Sequence, residues 1–331
     1  MIFQNDITRI EDIIYSCFES QSNNKKHQLI PKIARHILSA GGKRIRPYFS
    51  LLVMSYGMEN IYFCDASLSI GAAIELLHTA TLLHDDVIDH SAYRRNIKTA
   101  NKIWGNNASI LVGNNLFSKA FELIAKTKSY EIMEILANAS SHITQAEISQ
   151  LTTIGRYDIS KEEYINIIYG KTGVLFEATA KIAAIWKKYY NIQKWAKLGR
   201  NIGILFQIKD DVLDYSSNNT GKKRFQDIFE RKTTLPLMIL LENANNEEID
   251  IIKEIFSSKR GIIAESKLTI LGNCMNKYRV AEKVLEYSKS YLEESFIILE
   301  ELKENTNSDN ALLAVRECMN LLRHLSNFQS V

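Results

Sequence analysis

Two acidic clusters with the same spacing are the residues most suited to chemistry. Residues 85–89 read DDVID and residues 210–214 read DDVLD, so each cluster has the form DDxxD. On a helix, the first and last aspartates of such a cluster share one face. Like charges at this spacing cost about 0.2–0.5 kcal/mol, and a helix C-terminus further disfavours anions. The pattern therefore predicts a cationic partner at each cluster.

Magnesium is the cation that best fits these clusters. It prefers hard oxygen ligands and usually takes one or two carboxylates together with substrate phosphates. Two clusters that face each other could hold several Mg²⁺ ions around one diphosphate. A solvated acidic helix end explains either cluster alone, but the repetition of the pattern after two apolar stretches favours the metal.

A scattered set of cations gives a second indication. Residues 41–47 read GGKRIRP, which places three cations in a glycine-flanked turn. The other candidates lie after each acidic cluster and in one helical stretch: Arg94, Arg95, Lys171 (followed by Thr172), Lys222 and Lys232. Arginine and lysine side chains both bind phosphate oxygens. Each pair alone is typical of a solvated surface, but together they suffice for a second anion bound without metal.

Helical periodicity dominates the elements that must position these residues. Apolar side chains at 30, 33, 37 and 38 form one stripe that ends at Gly41 and Gly42. Further helices are predicted over 68–88, 110–126, 131–152, 161–186, 194–213 and 235–243. Polar segments at 89–101 and 215–234 follow the two acidic helix ends, and no strand alternation is evident. These patterns predict one all-α domain over residues 1–331.

Composition restricts the class of protein. The 331 residues include 41 basic and 38 acidic side chains, a net charge of +3, which does not favour nucleic-acid binding. Only 14 glycines and 3 prolines occur, which favours long helices. The four cysteines form no CxxC pair, so a zinc site or disulfide framework is not expected. Without a signal peptide or an uncharged apolar run of about 18 residues, we expect a cytoplasmic protein with no transmembrane segment.

The motifs in their order and spacing resemble those of the trans-polyprenyl diphosphate synthases, especially the long-chain, octaprenyl-type members. The similarity runs from about Pro31 to Pro236 and includes residues 41–47, 75–89, 94–95, 111–113, 171–173, 207–214 and 232–236. The resemblance implies an all-α bundle of antiparallel helices around a deep central cavity, usually as a homodimer. It also implies head-to-tail condensation of isopentenyl diphosphate onto an allylic prenyl diphosphate.

The resemblance assigns roles residue by residue. Asp85 and Asp89 would bind two Mg²⁺ ions and Asp210 a third, with Mn²⁺ as a possible substitute. Asp86, Asp211 and Asp214 would act through water or neighbouring groups. Lys171, Thr172 and Gln207 would complete the catalytic set near the allylic cation. The allylic diphosphate would be held by Arg94, Lys171, Lys222 and Lys232, and the isopentenyl diphosphate by Lys43, Arg46, His78 and Arg95. The alkene would attack the cation, and the departing diphosphate would take the final proton.

Product length depends on the space beside the first aspartate cluster. Short-chain relatives carry bulky aromatics four and five residues before the first aspartate, where this chain has Thr81 and Ala80. Thr81 lies one turn before Asp85, about 6 Å along the axis, so its small side chain leaves a path open. Met133, Leu136 and Ala137 are the candidates for the floor of that path. A long product is expected, octaprenyl diphosphate, of the kind that becomes a quinone side chain.

Four positions depart from the family's pattern. Asn96, Phe225 and Arg231 stand where glycine is usual, and Asn114 stands where aspartate is usual. These departures leave open a non-catalytic subunit of a heteromeric synthase, although such subunits typically lose motif aspartates and all six are present here. A shorter-chain farnesyl or geranylgeranyl synthase is a further alternative. A terpene cyclase or a head-to-head condensing enzyme would not need the cations assigned to isopentenyl diphosphate.

Overall fold

The computed structural model describes residues 2–22, 28–215, 224–257 and 263–327, and these ranges are almost entirely helical. The helices up to residue 153 are α1 (Gln4–Ser22), α2 (Leu29–Ser39), α3 (Ile45–Ser55), α4 (Asp65–Ile88), α5 (Ala100–Trp104), α6 (Asn106–Ala125) and α7 (Tyr130–Thr153). Those that follow are α8 (Lys161–Ile168), α9 (Val174–Trp186), α10 (Ile192–Leu213), α11 (Gln226–Phe229), α12 (Leu235–Asn243), α13 (Asn246–Ser257), α14 (Glu265–Lys277), α15 (Val280–Glu304) and α16 (Asp309–Ser326). The all-α fold class is confirmed.

Two local features differ from the sequence-based expectation. The first polar segment contains a small antiparallel hairpin of β1 (Tyr93–Arg94) and β2 (Ile97–Lys98). Strands of two residues are too short to produce a hydrophobic alternation, so the sequence did not indicate them. The helix expected over 161–186 is interrupted by a π-helical turn, Tyr169–Gly173, between α8 and α9.

The chain divides into two compact units that are interleaved along the sequence. The first unit comprises Met1–Ser140, Glu177–Ala196 and Leu302–Cys318, and the second comprises Ser141–Phe176, Lys197–Glu301 and Met319–Val331. The first acidic cluster therefore belongs to the first unit and the second cluster to the second unit. The single domain expected over 1–331 stays a prediction.

The first unit is built around α4. This helix packs against α1, α3 and α6, and its buried residues are distributed around most of its circumference, as expected for a central helix. Gly113 on α6 permits the close approach of α4, because a Cβ atom there would lie 2.4 Å from Nε2 of His84. The last turn of α4, which carries the first acidic cluster, is thereby fixed against α6.

The second unit has a separate apolar core. Side chains from α8, α10, α12, α13, α14 and the start of α15 form one buried cluster. Ser160 begins α8 by accepting a hydrogen bond from the Glu163 amide, 3.0 Å away, in a capping arrangement. Close contacts also join α10 to the π-helical turn, because a Cβ at Gly203 would lie 2.6 Å from Cα of Gly173. The catalytic candidates of this unit lie on these packed elements.

One helix in the described part of the chain, α4, is long and apolar enough to span a membrane. Its most apolar window is 72% buried inside the protein. The central helix of a globular core meets the same criteria of length and composition, so this finding is weak support for a membrane span.

Candidate active site

The first acidic cluster forms the C-terminal end of α4. Asp89 caps the helix, and its amide donates to the carbonyl of Asp85 over 2.8 Å. Helical geometry therefore continues through the cluster and places the Asp85 and Asp89 side chains on one face. Both are partly exposed, whereas Asp86 is only 1% exposed. The cluster thus offers two carboxylates to solvent and directs the third inward.

Asp86 fixes the hairpin that follows α4. Its Oδ1 accepts hydrogen bonds from Nε and Nη2 of Arg94, each 2.9 Å away. Its backbone carbonyl accepts from the side-chain amide of Asn101 at 2.9 Å. Burial raises the pKa of the Asp86 carboxyl, and the Arg94 charge opposes that rise. Arg94, assigned by resemblance to the allylic diphosphate, is therefore positioned by an ion pair at the edge of the cluster.

The hairpin turn brings Arg95 to the glycine-rich loop. Arg95 and Asn96 have φ values of +49° and +65°, the left-handed pair that a tight two-residue hairpin turn requires. Nη1 of Arg95 lies so close to Gly42 that a Cβ there would approach it to 2.7 Å. The structure therefore unites two motifs, residues 41–47 and 94–95, that are about fifty positions apart in the sequence.

The cations of this region form one electrostatic cluster. Burial lowers the pKa of Arg46 to about 10, Glu75 opposes the shift, and the positive charge of Arg95 adds to it. Desolvation, and then the charges of Arg46 and Arg95, hold the pKa of His78 well below its usual value. His78 is therefore neutral at pH 7. Arg46 and Arg95 lie close enough to His78 to lower its pKa, and Lys43 is an exposed residue of the loop that carries Arg46.

In the second unit, the π-helical turn presents Lys171 and Thr172. Such turns occur frequently at functional sites because the widened helix redirects its side chains. Gly170 allows α7 to approach, since a Cβ there would lie 2.5 Å from Cβ of Ala146. Nζ of Lys171 pairs with Glu147 on α7 at 2.7 Å and donates to Oε1 of Gln150 at 3.1 Å.

A hydrogen-bonded relay connects this turn to α10. The Thr172 hydroxyl donates to Oε1 of Gln207 at 2.7 Å, and Nε2 of Gln207 donates to Oδ1 of Asp211 at 2.8 Å. The hydroxyl of Tyr164, on α8, donates to Oδ2 of Asp211 at 2.7 Å. Tyr164 and Asp211 are both buried. The relay orients the Gln207 amide oxygen toward Thr172 and uses both oxygens of Asp211.

The three aspartates of the second cluster have different surroundings. Asp214 is buried, and its two carboxylate oxygens accept from the amides of Gln226 and Asp227, each at 3.0 Å. It therefore caps the N-terminus of α11. Asp211 belongs to the relay. Asp210 is the least buried of the three, which suits a side chain expected to bind metal directly.

The structure describes only one of the two lysines predicted in the loop after the second cluster. Nζ of Lys232 lies 2.7 Å from Glu230, and both side chains are nearly buried. Lys222 lies outside the described residues. Asp227, a site residue that sequence reasoning missed, is near Lys232 and the second cluster. Burial and the charges of Asp214 and Asp211 raise the pKa of Asp227 well above its usual value.

The residues assigned to product length differ in burial. Ala80 is fully buried, whereas Thr81 is partly exposed and donates from its hydroxyl to the carbonyl of His78 at 2.7 Å. On α7, Leu136 is buried, Met133 partly exposed and Ala137 exposed. Thr81 therefore remains the candidate for an open path, and the three α7 residues, although spaced as neighbours on one helix face, differ in burial.

Comparison with known proteins decides the family. The family model described as polyprenyl synthetase matches residues 27–270. This chain belongs to the polyprenyl synthetase family. Like the other members it is a prenyltransferase, as the motifs predicted.

Similar family members come from several bacteria. Octaprenyl diphosphate synthase of Haemophilus influenzae is 39% identical over 236 residues, 70% of each chain. Octaprenyl diphosphate synthase of Escherichia coli is 37% identical over 72% of this chain and 74% of that protein. A solved polyprenyl synthase from Caulobacter crescentus, complexed with calcium and isoprenyl diphosphate, has a TM-score of 0.87 at 29% identity, covering 98% of this chain and 96% of that one.

Within this polyprenyl synthetase, the site residues that the motifs did not include are Glu147, Gln150, Tyr164 and Asp227. The sequence offered one signal for them: Glu147 and Gln150 are three residues apart on a predicted helix and therefore adjacent on its surface. Tyr164 and Asp227 are single residues without a spacing pattern. Their contacts depend on how α8 and α11 pack, which no local pattern specifies.

Proposed function

We propose that this polyprenyl synthetase is a long-chain trans-polyprenyl diphosphate synthase that makes octaprenyl diphosphate for a quinone side chain. The observation that carries the proposal is the separation of two kinds of site in the first unit. A partly exposed carboxylate pair ends α4, while Arg46, His78 and Arg95 gather at the glycine-rich loop. The carboxylates beside that loop, Glu11 and Glu75, are paired with Arg44. One arrangement suits a metal-bound diphosphate, and the other suits a diphosphate held by cations alone.

Magnesium fits the donor set that the protein offers. The aspartates supply only hard oxygen ligands. A pair of carboxylates such as Asp85 and Asp89 leaves coordination positions for water and phosphate oxygens, as Mg²⁺ usually requires. Asp85 and Asp89 would hold two ions and Asp210 a third. When bound, Mg²⁺ stabilises the negative charge that develops on the departing diphosphate.

The protein's own residues bind and orient the reactants. Arg94 and Lys171 hold the allylic diphosphate, and Lys43, Arg46, His78 and Arg95 hold the isopentenyl diphosphate. Thr172 and Gln207 direct oxygen atoms toward the allylic cation, because their relay fixes the amide of Gln207. The diphosphate released from the allylic substrate accepts the final proton. Lys222 and Lys232 are further candidates for contacts with the allylic diphosphate.

The alternatives are less well supported. A non-catalytic subunit would not need six motif aspartates, and all six are present in this chain. A shorter-chain product would need a bulky side chain beside Asp85, where Thr81 stands. We further propose a cytoplasmic homodimer, with no nucleic-acid partner and with α4 as a core helix rather than a membrane span.

The proposed activity is tested by incubating the purified protein with farnesyl diphosphate, labelled isopentenyl diphosphate and Mg²⁺. The dephosphorylated products are then sized by chromatography. We expect incorporation of label and a terminal product of about eight isoprene units, since Thr81 leaves the path open. Absence of incorporation by the folded protein would favour the subunit alternative, and a short terminal product would contradict the octaprenyl assignment alone.

A further inference from the structure

The glycine-rich loop is held by Arg44, and one of the residues that Arg44 contacts lies outside the family match. Arg44 lies between Lys43 and Arg46, and its guanidinium makes three different contacts. Nε donates to Glu11 on α1 at 2.9 Å, Nη1 to Glu75 on α4 at 3.0 Å, and Nη2 to the carbonyl of Leu38 at 2.9 Å. The family model begins at residue 27, so Glu11 precedes it. We call Glu11, Arg44 and Glu75 the arginine clamp.

The clamp stabilises an unfavourable backbone conformation at Arg44. Arg44 has φ +46° and ψ +40°, the left-handed conformation that L-residues other than glycine disfavour. The Leu38 carbonyl belongs to the last turn of α2, where the helix itself supplies no partner. Because Arg44 satisfies this carbonyl and two carboxylates at once, its side chain fixes both the end of α2 and the beginning of α3.

The clamp also organises charge. The Arg44 side chain is 9% exposed, and that of Glu75 is 6% exposed, so their charges are poorly screened by solvent. Arg44 and Arg95 flank Gly42, where a Cβ would lie 3.2 Å and 2.7 Å from their respective Nη1 atoms. Glu11 and Glu75 offset the Arg44 charge, which allows the loop to bring its cations this close together.

We propose that Glu11, through Arg44 and Glu75, is a positioning residue for the isopentenyl-diphosphate subsite. This inference rests on the proposed function. The N-terminal helix α1 thereby becomes part of the substrate-binding apparatus, although it lies outside the family match. Arg44 is committed to the clamp and holds the loop from which Lys43 and Arg46 reach the diphosphate.

If Glu11 positions the loop, its removal should weaken binding of isopentenyl diphosphate, whereas the loss of its negative charge alone should strengthen binding. Removing a carboxylate near an anion site would by itself strengthen diphosphate binding. Loss of positioning would weaken it. We therefore expect Glu11→Ala to raise the KM for isopentenyl diphosphate about tenfold, the value of one charge-assisted hydrogen bond, and to leave the KM for farnesyl diphosphate within about twofold. Glu11→Gln, which keeps an acceptor oxygen, should have a smaller effect.

Asp12→Ala is the matched control, because Asp12 is the exposed neighbour of Glu11 on α1. Both KM values of this variant should equal those of the wild type. Glu11→Asp, whose shorter side chain cannot span the distance to Arg44, should resemble Glu11→Ala and serves as the test if the alanine variant does not fold. An unchanged or lower KM for isopentenyl diphosphate, or an equal rise in both KM values, would overturn the proposal. Wild-type protein that consumes no isopentenyl diphosphate would instead refute the proposed function.

Discussion

At positions 96, 225 and 231 the backbone is left-handed, with φ values of +65°, +62° and +59°. These are three of the four departures noted in the sequence, and each stands where the family usually has glycine. Each of these turns therefore has the backbone conformation that glycine favours, although the residue there is not glycine. A left-handed backbone costs an ordinary residue roughly 1–2 kcal/mol, so each substitution requires a compensating contact.

Arg231 and Phe225 should respond in opposite ways to restoration of glycine. Nη2 of Arg231 would lie 2.4 Å from a Cβ at Gly155, and its buried Nε has no hydrogen-bond partner among the described residues. Arg231→Gly should therefore stabilise the protein by about 1 kcal/mol, as relief of strain and of a buried N–H outweighs the added chain entropy.

Phe225 is 5% exposed and its ring lies 5.8 Å from that of Tyr215. Phe225→Gly should therefore destabilise the protein by roughly 3 kcal/mol or more. Urea unfolding of both variants measures these changes in the free energy of unfolding. A loss of stability in Arg231→Gly would mean that the arginine makes a net favourable contact.

The hydroxyl of Tyr164 should matter for turnover more than for substrate affinity. In Tyr164→Phe, Oδ2 of the buried Asp211 loses its 2.7 Å donor, and the relay through Gln207 to Thr172 loses its orientation. We expect kcat to fall about tenfold with the KM for isopentenyl diphosphate nearly unchanged.

Tyr278→Phe supplies the control for this chemical change, since that hydroxyl donates to Glu248 over 2.7 Å on other elements of the same unit. Its kcat should equal that of the wild type. If the two variants lose activity equally, the relay has no specific role in turnover.

His78 should make stability depend on pH. Its pKa in the folded protein is well below the unfolded value of 6.5, because of desolvation and the surrounding arginines. The unfolded state therefore binds more protons as pH falls through 6.5, and stability is lost in that direction. Replacing His78 with Gln should reduce the loss of unfolding free energy between about pH 7.5 and 5.5. Urea unfolding at the two pH values provides the measurement, and an identical loss in both proteins would refute this contribution.

At the scale of elements, helical periodicity specified most of the fold. The predicted helix over 235–243 coincides with α12, and those over 68–88, 110–126 and 194–213 agree with α4, α6 and α10 within four residues at each end. The π-helical turn was not predictable from periodicity, and it lies where Gly173 approaches Gly203 and Gly170 approaches α7, contacts between segments distant in sequence. The arginine clamp likewise joins side chains of three separate elements, which periodicity does not bring together.

Substitutions at two neighbouring positions of α4, Ala80 and Thr81, test what determines the product length. Thr81 is partly exposed, so Thr81→Phe can place a ring beside the Asp85 face, whereas the fully buried Ala80 has no space for one. Thr81→Phe should therefore shorten the terminal product with little loss of stability. Ala80→Phe should chiefly destabilise the fold, by roughly 1–3 kcal/mol.

Product sizing and urea unfolding separate the two effects. Thr81→Val, which changes the side chain at the same position without adding a ring, is the control and should leave the product length unchanged. A full-length product from Thr81→Phe would show that the growing chain does not run along this face of α4.

At the scale of the whole molecule, exposed apolar residues indicate where a second copy would bind. Ile148 and Leu151 on α7 are 57% and 46% exposed, and with Thr144 they form a stripe spaced as neighbours on one helix face. Two-fold symmetric dimers bring the same surface patch of each copy into contact, so this stripe on α7 is our candidate for the interface of the proposed homodimer.

Ile148→Glu should therefore convert the expected dimer into a monomer, because it would place two carboxylates in an apolar contact related by symmetry. Ile297→Glu introduces the same charge at a residue that is 60% exposed on α15, and it should remain dimeric. Light scattering during size-exclusion chromatography gives the mass of each protein. A dimer in both variants would place the interface elsewhere. A monomeric wild type would instead mean that the apolar stripe on α7 does not join two copies of this chain.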